Sequence, residues 1–138
     1  MNIGSIRPFE ELQEAFSLFS DWEERYGYLI ELGGRLPPFP PDMRVDQHLV
    51  KGCTSRVWLV SYIQNGSFHF LADSDAQIVR GLIYVLMSMV GGKTPAAVSA
   101  QDMAGAFASL GLEQNLSPNR RNGFFAMVER VKRGAAQG

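Results

Sequence analysis

The chain has 138 residues, of which 46% are hydrophobic and 20% are charged, and its formal net charge is −1. This composition predicts one soluble domain spanning residues 1–138, with a substantial core and no nucleic-acid or membrane partner. The one cysteine, Cys53, excludes an internal disulfide, a cysteine-built zinc site and a protein-held iron–sulfur cluster, since each needs several thiolates. We expect a cytoplasmic location, because the chain opens without a signal-peptide pattern and has no apolar run of bilayer length.

Two amphipathic helices are predicted at the start of the chain. The first opens near Pro8, and the second is capped by Ser20 with Glu23 completing a capping box, before Gly33 and Gly34 end it. Apolar residues recur at helical spacing in both helices: Phe9, Leu12, Phe16 and Phe19, then Trp22, Tyr26, Leu29 and Ile30. This pattern predicts a helical hairpin that packs on the rest of the domain.

A small antiparallel sheet of three strands is predicted in the middle of the chain. Four prolines within residues 37–41 exclude helix and sheet interior, so that stretch is predicted to be a stiff, extended connector. Strands are then predicted at 46–51, 55–63 and 67–72. The last two are joined by an Asn-Gly pair, which favours a tight hairpin turn.

Helices are predicted for the remainder of the chain. Residues 73–75, Asp-Ser-Asp, are expected to cap the most hydrophobic helix, 76–90, which we expect to lie over the sheet as the main core helix. Further helices are predicted to begin at Thr94, at Asp102 and at Ser117-Pro118. The fold class is therefore a two-layer α+β domain: an N-terminal helical hairpin, a three-stranded antiparallel sheet and several helices.

The last predicted helix has two unusual features. Gly123 in its interior costs about 1 kcal/mol of helix stability relative to alanine, which a close backbone contact would explain. Arg130, Lys132 and Arg133 cluster late in it, an arrangement that the helix dipole favours near a C-terminus. The tail from Gly134 is expected to fray.

Cys53 lies in the stretch around which the chain is organised, just before the apolar strand residues 57–60. Gly52 allows a sharp bend, and Lys51 and Arg56 flank the thiol with positive charge, which favours the thiolate. A lone cysteine is also often a small buried hydrophobe. From the residues alone, a reactive thiol and a structural one are both open.

Other apparent motifs have simpler explanations. Residues 91–94, Gly-Gly-Lys-Thr, lack the earlier glycine of a phosphate-binding loop, because Met87 occupies that position. His48 precedes Cys53 by five residues, so a Cys–His dyad is conceivable, but both His48 and His69 are predicted to be structural. A metal site built from the two carboxylates of residues 73–75 is less economical than helix capping.

Five separated segments together resemble the SufE family, sulfur-acceptor partners of cysteine desulfurases in iron–sulfur cluster assembly. The Cys53 segment resembles the active-site motif of that family, Gly-Cys-x-Ser-x-Val-Trp. The similarity extends from about Phe9 to Val131. The segments are Trp22-Glu23-Glu24-Arg25-Tyr26, Glu31-Leu32-Gly33-Gly34-Arg35-Leu36-Pro37, Val50-Lys51-Gly52-Cys53-Thr54-Ser55-Arg56-Val57-Trp58, Ala72-Asp73-Ser74-Asp75-Ala76-Gln77-Ile78-Val79-Arg80-Gly81 and Leu116-Ser117-Pro118-Asn119-Arg120-Arg121-Asn122-Gly123.

The resemblance implies a specific role. Cys53 would accept sulfane sulfur from the persulfide of a PLP-dependent cysteine desulfurase of the SufS or CsdA type, stimulate that enzyme and pass sulfur to a SufBCD-like scaffold complex. The PLP belongs to the desulfurase, and no cofactor of this chain's own is expected. The fold is similar to that of NifU-type scaffolds, whose several cysteines this chain lacks. Residues expected to support the loop and pocket are Gly52, Ser55, Arg56, Asp75 and Arg120.

Two rival functions remain from the residues themselves. One is a thiol-dependent enzyme acting alone, such as a peroxidase or hydrolase, and the other is a binding module in which Cys53 is structural. Under the carrier hypothesis we expect the thiol to be largely buried in the free protein and exposed by the partner, since small thiols strip an open persulfide. The cognate desulfurase, the final sulfur acceptor and the oligomeric state are not determined by the sequence.

Overall fold

The computed structural model describes residues 6–137, which contain six α-helices and a two-stranded antiparallel sheet. In chain order these are α1 (Phe9–Ser17), α2 (Trp22–Gly33), β1 (Val57–Gln64), β2 (Ser67–Ser74), α3 (Gln77–Val90), α4 (Pro95–Ala100), α5 (Met103–Ser109) and α6 (Pro118–Gln137). The α+β class and the N-terminal helix pair agree with the sequence-based prediction. No helix in this part of the chain is long and apolar enough to cross a membrane.

The sheet is a hairpin of β1 and β2. Their register pairs Val57 with Ser74 at one end and Gln64 with Ser67 at the other. Asn65 has a φ of 53° and Gly66 a φ of 78°, which is the left-handed conformation that a two-residue hairpin turn requires of both central residues. The predicted hairpin turn is confirmed.

The predicted third strand, 46–51, is wrong. Asp46–His48 form a 3₁₀ turn, in which the His48 and Leu49 amides donate to backbone carbonyls within the same segment, 3.0 and 3.1 Å away. These amides are therefore unavailable to a ladder. Only an isolated bridge between Leu49 and Trp58 and a bond of 2.8 Å from the Val50 amide to the Val57 carbonyl connect the segment to β1.

The core is centred on α3, which packs against α2 on one side and against the sheet on the other. Eleven of its residues are buried, as its almost continuous apolar sequence predicts. Two glycines bring α2 and α3 together: a Cβ built on Gly33 would lie 2.9 Å from the Gly81 amide, and one built on Gly81 would lie 2.2 Å from the Leu29 carbonyl oxygen. Gly33 therefore has a packing role in addition to the predicted one of ending α2.

Helix starts follow the expected capping chemistry with two exceptions. Thr94 and Asp102 accept hydrogen bonds from the amides of Ala97 and Gly105, as predicted. The cap of α2, however, is Asp21 rather than Ser20, and it accepts from the Glu24 amide at 2.9 Å. The Ser20 hydroxyl instead donates to the side chain of Glu24.

The second exception is α3, whose N-cap residue Ala76 makes no side-chain cap. Ser74 accepts from the Ala76 amide at 3.2 Å, one residue before the helix. Asp73 is buried, accepts from the Ser74 amide and forms ion pairs with Arg44 and Arg80. Arg44 also lies over the Trp58 ring, 5.6 Å from its centroid. Asp73 therefore links the segment that contains Arg44 to the sheet and to α3 instead of capping the helix.

The last helix, α6, continues to Gln137, so the predicted fraying from Gly134 is wrong. Ala135 is only 3% exposed, and its burial holds this turn against the core. A Cβ on Gly134 would lie 2.6 Å from the Ser61 hydroxyl on β1, which shows how closely helix and strand approach. This packing runs α6 alongside β1 and beside the loop that carries Cys53.

Candidate functional site

The loop that carries Cys53 is closed at its base and bent near its tip. The hydrogen bond from Val50 to Val57 joins its two ends, and the Ser74 hydroxyl donates to the Arg56 carbonyl at 2.6 Å. Gly52 has a φ of +92°, a conformation that residues with a Cβ rarely adopt. The predicted bend at Gly52 is therefore present, immediately before the thiol.

The Cys53 thiol contacts α6. It is half-buried, and its Sγ donates to the Gly123 carbonyl oxygen at 3.6 Å. A Cβ built on Gly123 would lie 3.7 Å from Sγ, so the close contact expected at this helix-interior glycine is with the thiol itself. Burial raises the pKa of the Cys53 thiol above its ordinary value, because desolvation disfavours the thiolate. Cys53 is less enclosed than the largely buried side chain that was predicted.

A cavity of about 320 Å³ opens beside the thiol. This volume lies at the lower end of the range of small-ligand pockets. Its lining combines apolar side chains from β1, α3 and α6 with hydroxyl, amide and guanidinium groups from the loop and the start of α6. The apolar residues are Val57, Val79, Leu82, Phe124 and Met127, and the polar side chains are those of Thr54, Ser55, Ser117, Asn119 and Arg120.

The structure brings some of the predicted site residues together and leaves others outside. Ser55 and Arg120 line the cavity with Cys53. Arg56 has an exposed side chain that is not part of the lining and contributes its carbonyl to the loop base. Asp75 is exposed just before α3 and is also outside the lining. A role for Asp75 in sulfur transfer stays a prediction.

Several cavity residues had been assigned only structural roles from the sequence. The predicted helix cap at Ser117 is confirmed, since its hydroxyl accepts from the Arg120 amide at 3.3 Å, and Ser117 also lines the cavity. Asn119 carried no signal of its own. The available clue was Gly123, because a glycine that weakens a helix interior indicates a neighbour on that face.

Neither histidine lines the Cys53 cavity. The His48 Nδ1 lies 2.8 Å from the Met43 carbonyl, and the His69 ring stacks on Tyr62 with a centroid distance of 5.3 Å. The conceivable dyad of Cys53 with His48 is therefore not formed. Across the lining residues the only ionisable groups are the thiol and the Arg120 guanidinium. The site presents a nucleophilic sulfur beside one positive charge, an arrangement suited to sulfur-centred anions.

Comparison with known proteins identifies relatives over nearly the whole chain. Residues 10–135 match the SufE family, described as the Fe-S metabolism associated domain. The sulfur acceptor protein CsdE of Escherichia coli is 40% identical over 129 residues, covering 93% of this chain and 88% of CsdE. An uncharacterised SufE-like protein of Rhizobium etli is 38% identical over 130 residues, covering 91% of this chain and 88% of that protein.

A solved structure supports the fold independently. The solution structure of a hypothetical protein from Thermus thermophilus superposes with a TM-score of 0.77, covering 94% of this chain and 93% of that one at 22% identity. At this identity the likeness concerns the fold alone. Together with the family match over residues 10–135 and the two relatives, the comparisons establish that the chain belongs to the SufE family.

Proposed function

We propose that this protein is a sulfur acceptor in iron–sulfur metabolism, with Cys53 as the residue that carries the sulfur. The observation that carries the proposal is the position of the chain's only cysteine: half-buried on a bent loop, beside a cavity of about 320 Å³. The name of CsdE, a sulfur acceptor protein, and the description of the family support it. The donor is a PLP-dependent cysteine desulfurase, and the PLP belongs to that enzyme.

The chemistry is a thiol–persulfide exchange. The Cys53 thiolate attacks the terminal sulfur of the desulfurase persulfide, so a new S–S bond forms on Cys53 while the S–S bond of the donor breaks. The donor cysteine leaves as a thiolate and takes up the proton that Cys53 loses. No external oxidant or reductant is needed. A second thiol nearby would attack the Cys53 persulfide and release its sulfur, and the sequence contains no other cysteine.

The surroundings of Cys53 have distinct roles in this proposal. Burial keeps the thiol protonated in the free protein, since it raises the pKa of Cys53, so docking on the desulfurase must raise the thiolate fraction. Gly52 gives the loop the freedom to turn the sulfur outward. Arg120 lines the cavity and stabilises the anionic persulfide when the loop returns. Delivery then proceeds to a scaffold that assembles the cluster.

The decisive experiment incubates the protein with desulfurase and free cysteine and measures the intact mass. We expect one added sulfur atom on the wild-type protein, removed by reductant, and none on Cys53→Ser. The same variant should lose stimulation of the desulfurase while keeping its circular dichroism spectrum, because Ser fits where a half-buried Cys stood. Retention of most stimulation by Cys53→Ser would refute the proposal.

The matched control uses a desulfurase whose own acceptor cysteine has been replaced by alanine. Sulfur on Cys53 should then be absent, because the donor persulfide cannot form. Peroxide- or ester-dependent turnover by the protein alone, at rates that depend on Cys53, would favour the rival of an independent thiol enzyme. A folded Cys53→Ser protein that behaves as wild type in every assay would favour a structural cysteine.

A further inference from the structure

A second cleft lies between β1 and the C-terminal half of α6, away from the Cys53 cavity. Its volume is about 420 Å³, within the range of small-ligand sites. Two guanidinium groups, an imidazole, a hydroxyl and a carboxamide line it, and none of the described lining residues is acidic. The polar lining side chains are those of His48, Ser61, Arg130, Arg133 and Gln137.

Neither arginine of this cleft forms an ion pair within residues 6–137. The ion pairs in that part of the chain involve Arg35, Arg44 and Arg80, and neither Arg130 nor Arg133 belongs to one. The helix dipole explains these arginines less well than predicted. It acts mainly in the last turn, and α6 continues past both arginines to Gln137.

Arg130 is held in place at the floor of the cleft. It is half-buried, and its two terminal nitrogens lie 3.5 Å from the carbonyl oxygens of Leu49 and Leu59. Both contacts are at the long limit for a hydrogen bond, so the guanidinium is oriented by the backbone without being satisfied by it. A planar guanidinium with hydrogens to donate is suited to an anion with several oxygens.

The Ser61 hydroxyl completes the donor set, while the His48 imidazole lines the cleft without adding a donor. Gly134 lets the Ser61 hydroxyl lie against α6, since a Cβ there would come within 2.6 Å of it. His48 contacts the Met43 carbonyl through Nδ1, and a bond to a carbonyl requires the hydrogen to be on that nitrogen, which leaves Nε2 of the neutral ring as an acceptor. The hydroxyl, the imidazole and the two guanidiniums come from three separate parts of the chain and meet only in the folded protein.

We propose that this cleft binds a small oxyanion of the phosphate type, either inorganic phosphate or a phosphate ester. A concave site with a half-buried guanidinium favours a small ligand over a carboxylate presented on the surface of a partner protein. The proposal does not depend on the sulfur-acceptor role, because none of the residues that line the Cys53 cavity takes part in it.

The test is an NMR titration of isotope-labelled Cys53→Ser protein at constant ionic strength. Sodium phosphate is added in one series and glycerol 3-phosphate in another. We expect saturable shifts of the arginine side-chain and Ser61 amide resonances. Arg130→Gln and Arg133→Gln should each weaken binding about 10- to 100-fold, the range for loss of a hydrogen bond to a charged group. Lys132→Gln removes the same charge from α6 but lies outside the cleft lining and should change the Kd less than about twofold, since it gives up no hydrogen bond to the bound anion.

The outcomes decide between the explanations. Saturable binding that is lost in both arginine variants and kept in Lys132→Gln supports the site. Equal weakening in all three variants indicates general attraction to a basic helix and overturns it, as does the absence of saturation with either phosphate probe. Saturable shifts with an acidic peptide but not with phosphate overturn it in favour of a protein partner. Arg133 is exposed, so its variant keeps the test valid even where Arg130→Gln fails to fold.

Discussion

Gly123→Ala should separate the stability of the fold from its sulfur chemistry. Gly123 lies inside α6, and the added methyl group would meet only the Cys53 Sγ within 4 Å, at 3.7 Å, which is ordinary contact. The unmodified thiol therefore tolerates it. Alanine removes the conformational cost of glycine in a helix, so the free energy of unfolding should rise by about 0.5–1 kcal/mol.

The same substitution should destabilise the sulfur-loaded form of the site. The persulfide adds a second sulfur at about 2.0 Å from Sγ, while the new methyl group already fills the contact distance between Cys53 and α6. The loop must then shift or the added sulfur must take a different orientation. A steric cost of about 1 kcal/mol to the closed, sulfur-loaded loop shifts its equilibrium with the outward-turned loop about fivefold, so small thiols should remove the sulfur faster.

The assay combines two measurements on the reduced proteins. Denaturant unfolding gives the stability, and intact mass during treatment with a small thiol, after loading by desulfurase and cysteine, gives the rate of sulfur loss. Gly27→Ala is the matched control, because Gly27 lies inside α2 and its Cβ would meet nothing within 4 Å. This control should gain similar stability and lose its sulfur at the wild-type rate. Sulfur loss from Gly123→Ala at the wild-type rate, or a lower stability of that variant, would refute the reasoning.

Three further predictions concern packing, charge and pH. Gly81→Ala should destabilise the fold by about 1–3 kcal/mol in denaturant unfolding, because its Cβ would overlap the Leu29 carbonyl at 2.2 Å; a stable variant would show that α2 and α3 separate freely. Asp73→Asn should cost about 1–3 kcal/mol, since it removes the buried partner of Arg44, and unchanged thermal melting would contradict this. Burial raises the pKa of Cys53 above its ordinary value, so the unfolded chain loses its proton first. Stability should therefore fall as pH rises through the ordinary cysteine pKa of about 8.5 toward the folded pKa. Cys53→Ser should abolish this decline, and alkylation of the native thiol at neutral pH should be slower than that of a free cysteine.

The sequence by itself determined the elements whose signals are local. Helical spacing of apolar residues identified the helices, and the Asn-Gly pair identified the hairpin turn, because both patterns act between residues that are neighbours along the chain. The predicted bend at Gly52 was correct for the same reason, since φ is a property of one residue. Cys53 stood out because it is the only thiol in the chain.

The tertiary structure alone decided which partners these elements meet. The predicted third strand failed because the amides of His48 and Leu49 are satisfied within a 3₁₀ turn, a competition that β-propensity does not reveal. The contact between Cys53 and Gly123 joins residues 70 positions apart. The basic cleft likewise forms only because α6 runs along β1. In that position Arg130 contacts two backbone carbonyls, which its place near the end of a helix does not predict. Contacts between distant segments depend on how the helices and strands pack, and the spacing of residues along one segment does not predict that packing.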